Sequence, residues 1–426
     1  MNTAPKIPTI NLMGIPLSVL SRQALLKVVE GFLSSEKGGF YAVTPNPEII
    51  LGALRDEELF YILNKADLSP ADGIGLKFAA LAMGHRLPRV AGADLTQDLL
   101  RLAEIKGCKV GILNWKGGLS KEKDIRASLK KLYPNLVFVV EDIEREWRMP
   151  FYKKINGLEP ELLFVALGSP WQEKFIFHAL AKMPYVKLAA GVGGSFDFLT
   201  GKVARSPGFM RFLGLEWAWR FFQQGKGTRA WRLRRICRAV CVFPAYFLKW
   251  QFINPFLYRK NVACLVYRKI TSGKDNQAPG FQVLILERKQ EPGHWQLPQG
   301  GRDGEDIMTA GLRELGEELN CRKIRPVAAF ANVYRYKFGQ RKHEDTDRKQ
   351  RVYQHYHYKG QRQGLLVAEF IGDSDEDISV NYWEYQNWKW VEPGQLLKEV
   401  HPIRQKATEI FLQKFQKVVN DPRYKL

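Results

Sequence analysis

Cysteine is scarce in this 426-residue chain, and its placement excludes more than its number does. Cys108, Cys237, Cys241, Cys264 and Cys321 are odd in number, scattered, and nowhere in C-x-x-C spacing. That argues against a disulfide framework and a structural zinc site, and a reducing cytoplasm is the simplest expectation. No uninterrupted apolar run reaches the ~18 residues that a membrane-crossing helix needs. The start, MNTAPKIPTINLMG, lacks the basic segment and apolar core of a signal peptide. Acids are also in short supply, 44 against 65 lysines and arginines, for a formal charge of +21. That imbalance implies an anionic partner: nucleic acid, nucleotide phosphates or an acidic membrane surface. No internal repeat stands out.

What is present belongs to a folded chain, with 45% hydrophobic and 12% aromatic residues. Its length favours two or three domains over a single core. Through about residue 200, strand-like runs (FYAVTPN at 40–46, KVGILNW at 109–115, LVFVVED at 136–142, ELLFVALG at 161–168, VKLAAGVGG at 186–194) alternate with helical patterns at Pro47–Arg55, Leu76–Met83, Leu95–Ile105, Lys116–Lys131 and Trp171–Lys182. Such alternation predicts βα units around a largely parallel sheet, with ligand sites at the carboxyl ends of the strands.

Between residues 201 and 260 there are thirteen lysines and arginines against one acid, Glu216. Arg229, Arg232, Arg234, Arg235 and Arg238 lie beside an apolar, aromatic run, a combination that suits an anionic membrane surface; a solvated helix and buried linker is the alternative. New strands start at NVACLVYRK (261–269) and FQVLILER (281–288), and a helix near Arg404–Val419 closes the pattern. The expected layout is one domain over 1–235, a basic and apolar linker over 236–260, and a second domain over 261–418.

The most informative segment is LPQGGRDGEDIMTAGLRELGEELN, Leu297–Asn320. On a helix, Met308, Leu312, Leu315 and Leu319 would form an apolar stripe. Glu314, Glu317 and Glu318 would cluster within roughly 100° of arc on the other side. Three carboxylates so gathered repel one another unless a hard divalent cation neutralises them. Glu305 and Arg313, two helical turns apart, can bridge the preceding loop to the helix. A solvated acidic face is the plain alternative.

The whole run resembles the Nudix box, Gly-x5-Glu-x7-Arg-Glu-hydrophobic-x-Glu-Glu-x-Gly-hydrophobic, through Gly300, Glu305, Arg313, Glu314, Leu315, Glu317 and Glu318. Two departures are a loop shorter by one residue before Glu305 and Asn320 at the last glycine position, where asparagine tolerates a left-handed backbone. The resemblance covers roughly 260–418 and implies a Nudix α/β/α sandwich in which Glu314, Glu317 and Glu318 are catalytic and bind Mg²⁺ or Mn²⁺. It also implies Mg²⁺-dependent hydrolysis of a nucleoside diphosphate linkage. WQLPQGG at 295–301 and WKWVEP at 388–393 resemble members acting on dinucleoside polyphosphates or RNA 5′ ends. A basic neighbourhood from Arg335 to Arg351, interleaved with tyrosine and histidine, can stack on bases and contact phosphates; a solvated insertion is its alternative.

In the first half, YAVTPNPEI carries Thr44 and Asn46, both able to hydrogen-bond a nucleotide or sugar. SPADGIGL sets Asp72 beside two glycines, where a carboxylate can take the proton of an attacking hydroxyl; capping of a turn or helix is the alternative. GSPWQEKF (168–175) opens a helix after a strand, with Gln172 near the opening. GVGGSFDFLTGKVARSP (191–207) supplies Gly193, Gly194 and Arg205.

In order, TPNPE (44–48), ADGIGL (71–76), RVAGADL (89–95), ALGSPWQEKF (166–175), GVGGSFDFLTGK (191–202), RSP (205–207) and LEWAWR (215–220) resemble the WecG/TagA/CpsF glycosyltransferase family over roughly residues 9–235. The resemblance implies a Rossmann-like parallel-sheet domain that transfers a hexose or N-acetylhexosamine unit. The donor would be a nucleotide-diphosphate sugar and the acceptor a polyprenyl-diphosphate-linked glycan, with no metal required. Asp72 then corresponds to the general base, Thr44, Asn46, Gln172, Gly193 and Gly194 to binding elements, and Arg205 and Arg220 to diphosphate contacts. Asn114 and Trp115 stand where the family has a glycine after the strand. The expected whole is a bifunctional α/β enzyme on the cytoplasmic face of the membrane. Alternatives are a Nudix unit acting on nucleotide sugars, and an RNA- or membrane-binding module with one inactive domain.

Overall fold

The computed structural model describes residues 7–145, 152–208, 236–270, 280–338 and 357–424, with single positions 210, 219 and 233 between them. Two compact units divide between Lys249 and Trp250, so the expected linker over 236–260 straddles the division.

The first unit is built on five parallel strands, β3 (Phe40–Ala42), β4 (Val110–Trp115), β5 (Phe138–Ile143), β6 (Leu162–Ala166) and β7 (Leu188–Gly191). Their order across the sheet is β3-β7-β6-β4-β5. All five expected strands therefore form, and every neighbouring pair is parallel. β4 and β6 are buried almost throughout, which is why they read as continuous apolar runs instead of alternating ones.

The helices differ from the sequence pattern mainly at their ends. The one expected from Lys116 begins at Glu122, because Lys116–Ser120 make a turn that closes on Trp115. The helix opening at Gly92 runs to Lys106 and stops at Gly107, whose φ of 67° ends it in the left-handed region. An antiparallel hairpin of β1 (Thr9–Leu12) and β2 (Ile15–Ser18) was not expected. Its two-residue connection, Met13 and Gly14, has both φ values positive (52° and 88°), the requirement of a tight hairpin turn.

The second unit is a mixed sheet with β10-β9-β8-β13-β12 as its main path. Those strands are β8 (Tyr258–Ile270), β9 (Gly280–Arg288), β10 (Trp295–Gln296), β12 (Ile324–Lys337) and β13 (Gly360–Phe370). β11 (Gln299–Gly301) pairs with β8, and β14 (Tyr385–Val391) with β9. Alternation along β8 builds two cores. Val262, Cys264 and Val266 pack with Leu315 and Leu319 of the acidic helix, whereas Ala263, Leu265 and Tyr267 pack with Phe411 and Phe415 of the terminal helix, Pro402–Asn420.

The acidic helix spans Ile307–Leu319, with Asp306 accepting hydrogen bonds from Met308 N and Thr309 N at its start. It ends on Asn320 at φ 49°, the left-handed position that asparagine tolerates. Leu315 and Leu319 of the expected stripe are buried and Leu312 packs against them, but the buried face is broader and leaves out Met308. Ile307, Ala310, Gly311, Glu314, Leu315, Glu318 and Leu319 are buried, whereas Met308 is 40% exposed. The helix is rotated so that two of the three glutamates, Glu314 and Glu318, lie on its inner side.

His294 sits nearly buried in this unit, its ring stacked 4.0 Å from that of His401. Burial, with His401, Arg404 and Arg288 adding to it and Glu291 opposing, pushes its pKa from 6.5 down to about 4. A histidine so depressed favours the fold above pH 6.5, and that contribution is lost as pH falls through about 4. The melting temperature of the chain is therefore expected to drop across this window, and His294→Gln to flatten the drop. Identical slopes in parent and variant would contradict it.

Candidate active sites

In the first unit, polar side chains collect along the carboxyl edge of the parallel sheet. Thr44 follows β3 and its hydroxyl donates to Gly191 O at 3.3 Å, at the end of neighbouring β7. The Asp72 backbone N–H donates to Pro45 O at 2.8 Å, tying its turn to the same loop. Gly92 then lies against both side chains. A Cβ there would lie 3.4 Å from Asp72 Oδ2 and 3.7 Å from Thr44 Oγ1, so the helix start passes directly over both oxygens. Arg205 forms an ion pair with Asp94 in the first turn of that helix, and its guanidinium lies 5.1 Å from the Phe198 ring centroid.

Asn46 and Gln172 have more structural duties than expected. Asn46 Oδ1 accepts from Glu48 N and Ile49 N, both at 3.0 Å, capping the Pro47–Ala53 helix. Gln172 is 3% exposed. Its Oε1 accepts from Gly168 N (3.2 Å) and Gly193 N (2.9 Å), and its Nε2 donates to buried Glu173. Gln172 thus fastens the loops after β6 and β7 to each other. Gly191 permits this, since a Cβ there would sit 2.8 Å from Gln172 Nε2. Gly193 has φ 50°, and a Cβ on Gly194 would press on Asp197 Oδ2 at 3.1 Å. Burial raises the pKa of the Glu173 carboxyl. Arg220, Arg229, Arg232, Arg234 and Arg235 lie outside the described residues.

Sequence reasoning missed Arg145 at this edge, and with it the stacking of Trp115 and Trp171 around it. Arg145, just after β5, lies between two indoles, 3.5 Å from the Trp115 ring and 4.2 Å from the Trp171 ring. The replacement of glycine by Asn114 and Trp115 was the available signal. Asn114 is buried and donates to Ser120 O and Asp142 Oδ1, which leaves Trp115 at the strand tip.

Near Asp72 the surface turns apolar. The helices Ile74–Ala82 and Phe243–Leu248 pack together, with Gly75 between Pro47 and the Phe243 ring. Phe78 and Leu81 on one, and Tyr246 and Leu248 on the other, are exposed. Among the described residues no helix is long and apolar enough to cross a membrane.

In the second unit the site centres on Arg313. Its Nε donates to Glu305 Oε2 at 2.9 Å, so the expected bridge from loop to helix is made, and Nη2 donates to Gly301 O at 2.7 Å. Nη1 reaches Glu314 Oε1 at 2.9 Å and Glu317 at 3.3 Å. Glu314 is buried, and its carboxylate lies on Gly300, where any Cβ would overlap it. Burial pushes its pKa from 4.5 up to about 7, against the pull of Arg313 and with help from Glu317. Glu318 is also buried. It accepts from Tyr385 Oη at 2.7 Å and Gln299 N at 3.1 Å. The Glu317 side chain is 48% exposed.

No group of three or more His, Cys, Asp or Glu among the described residues is arranged to hold a metal ion. The three glutamates nonetheless suit a hard divalent cation in donor chemistry, offering only oxygen ligands. The bare Gly300 backbone admits the Glu314 carboxylate to a place that any side chain at 300 would take from it. Beneath them, Gln363 Nε2 donates to Gln299 Oε1 (2.8 Å) and Asn261 Oδ1 (3.3 Å), an amide network that the sequence did not signal.

An α/β unit with its polar groups at the strand ends, followed by a mixed unit with a glutamate-bearing helix braced on a glycine loop, defines a chain of two enzyme classes, a glycosyltransferase type and a Nudix-hydrolase type. Residues 10–254 match the glycosyl transferase WecG/TagA/CpsF family and residues 258–411 the NUDIX domain. The chain belongs to the WecG/TagA/CpsF family, with a Nudix domain fused C-terminally. It is similar to the N-acetylglucosaminyldiphosphoundecaprenol N-acetyl-beta-D-mannosaminyltransferase of Bacillus subtilis (strain 168), 31% identical over 225 residues, 52% of this chain and 85% of that protein. The Bacillus spizizenii protein of the same name is 34% identical over 191 residues, 44% of this chain and 73% of its own length. Among solved structures, the Escherichia coli dihydroneopterin triphosphate pyrophosphohydrolase aligns at 17% identity and a TM-score of 0.26, covering 39% of this chain and 99% of that one.

Proposed function

We propose that the chain is a bifunctional enzyme. Its first unit, a Rossmann-like domain, transfers an N-acetylhexosamine such as N-acetylmannosamine from a nucleoside-diphosphate sugar to a polyprenyl-diphosphate-linked acceptor. The observation that carries this reading is the placement of Asp72 and Thr44 both against Gly92, beside packed helices with exposed apolar side chains. Asp72 takes the proton of the acceptor hydroxyl, and Thr44 orients the sugar. Arg205 turns from Asp94 to the donor diphosphate, aided by Arg220, so charge is stabilised without a metal. The names of the two Bacillus relatives support N-acetylmannosamine as the transferred unit and N-acetylglucosaminyl-diphospho-undecaprenol as the acceptor.

A lipid-linked acceptor requires a membrane surface, and Phe78, Leu81, Tyr246 and Leu248 together with the basic stretch would provide peripheral contact on the cytoplasmic leaflet. The full chain is expected to co-sediment with anionic vesicles in preference to neutral ones, and Phe78→Glu with Leu248→Glu to weaken this several-fold. Equal partitioning between the two vesicle types would count against it.

The second unit, a Nudix sandwich over about 261–418, hydrolyses a nucleoside diphosphate linkage, with a dinucleoside polyphosphate or an RNA 5′ end as the favoured substrate. Glu314, Glu317 and Glu318 would hold Mg²⁺ or Mn²⁺, which supplies polarisation of a phosphoryl oxygen and offsets its developing charge. Arg313 keeps the glutamate-bearing face against the Gly300–Gly301 loop, and Tyr385 fixes the orientation of Glu318. A product screen of the full chain tests both halves. It supplies nucleotide sugars with a polyprenyl-diphosphate acceptor in one arm, and dinucleoside polyphosphates, triphosphorylated RNA and nucleotide sugars alone in the other. Glycolipid in the first arm and diphosphate cleavage in the second are expected. Cleavage of nucleotide sugars alone would replace the hydrolase substrate.

A further inference from the structure

The order β3-β7-β6-β4-β5 contains a topological switch. From β4 the chain moves outward to β5, then crosses back to β6 and continues to β7 on the other side. In open parallel sheets the crevice outside the carboxyl ends of the two strands at such a switch is where nucleotides lodge. Here those strands are β4 and β6. Trp115 is the last residue of β4, and Trp171 opens the helix that follows β6. Arg145, from the end of β5, fills the space between their rings. Its Nε donates to Leu167 O at 2.8 Å, and its guanidinium lies 3.2 Å from where a Gly168 Cβ would be. Gly117 crosses the Trp115 indole so closely that a Cβ would stand 2.5 Å from the ring. Three loops thus converge on one cation-centred aromatic stack, and Trp171 remains 39% exposed in it.

We propose that the Trp115–Arg145–Trp171 stack is the base shelf of the transferase unit, on which the nucleobase of a nucleoside diphosphate lies against the exposed Trp171 indole. The inference rests on the reading of this unit as a user of nucleotide donors. The placement agrees with the rest of the edge. Gln172, next to Trp171, fastens Gly168 to Gly193, so the glycine loop after β7 lies between the shelf and Asp72. From β4 to β3 is three strand spacings, about 14 Å, a span that the ribose and diphosphate of a donor would cross. Stacking accepts any base, since every base has a π face, while the guanidinium behind the indole strengthens the contact through its charge.

The test is photolabelling of the full chain with 4-thiouridine diphosphate and 8-azidoadenosine diphosphate, followed by peptide mapping. It is paired with titration of UDP and of inorganic pyrophosphate on the parent, Trp171→Ala and Trp171→Phe. Labels within 115–118 or 168–174 are expected. Trp171→Ala should weaken UDP about tenfold with pyrophosphate unchanged, and Trp171→Phe should restore most of the loss. Labelling elsewhere in the first unit, with UDP affinity unmoved in Trp171→Ala, would overturn the shelf while leaving the donor reading intact. Labelling confined to the second unit would remove the donor reading and the shelf together. Equal loss of UDP and pyrophosphate in both variants would make the stack a structural clamp and overturn the proposal.

Discussion

Asp72→Asn is expected to lower glycosyl transfer by about 10²- to 10⁴-fold, the range that a positioned general base contributes. Asparagine keeps the shape of the side chain and its contact with Gly92 but cannot accept the acceptor's proton. The loss should therefore fall on kcat, with the affinity for a nucleoside diphosphate little changed, because no diphosphate contact is assigned to Asp72. The Asp72 backbone N–H to Pro45 O bond survives the change, so the loop between β3 and the Pro47–Ala53 helix keeps its form. Pre-steady-state transfer assays with separate donor titration check this. Unaltered transfer would return Asp72 to a turn-capping role.

Glu314→Gln and Glu318→Gln are each expected to cut hydrolysis of the diphosphate substrate by at least about 100-fold, more than the loss typical when only a supporting contact of a metal site is removed. Both side chains are buried on the inner side of the acidic helix, and glutamine fills the same space without the charge that attracts a divalent ion. The two substitutions probe different surroundings. Glu314 lies on Gly300 and pairs with Arg313, whereas Glu318 is held by Tyr385 and the Gln299 backbone. Glu317→Gln removes an exposed carboxylate and should also reduce turnover. Its effect separates a three-carboxylate ion site from a two-carboxylate one. Hydrolysis unchanged in all three variants would refute the site.

Four of the parallel strands of the first unit, β3, β4, β6 and β7, were legible because burial on both faces leaves uninterrupted apolar runs. The bridge from Glu305 to Arg313 was legible in the opposite charges eight residues apart, although Glu305 lies in the loop before the helix, and Asn320 was legible because a left-handed backbone suits few other side chains. What escaped depended on tertiary placement. The hairpin at Thr9–Ser18 has strands too short to display a period, and Pro16 obscures one of them. Met308 resembles a core residue in the helical pattern, but the helix rotates to bury Glu314 and Glu318, an arrangement that apolarity alone argues against. Gln172 stood as a binding element through the family resemblance, and nothing local showed that its amide oxygen also accepts from two loop N–H groups. The Trp115–Arg145–Trp171 stack joins the ends of three strands, and nothing local to any one residue announces the other two.

The claim on which the hydrolase account rests is that carboxylates buried on one helical face are there to hold a cation. The most direct measurement is anomalous diffraction from crystals of the full chain soaked in Mn²⁺. A peak within coordination distance of the Glu314 and Glu318 carboxylates, with Glu317 turned toward it, is the result predicted. A fully occupied Mn²⁺ bound elsewhere, with Glu314 still paired to Arg313 and Glu318 still held by Tyr385, would contradict it.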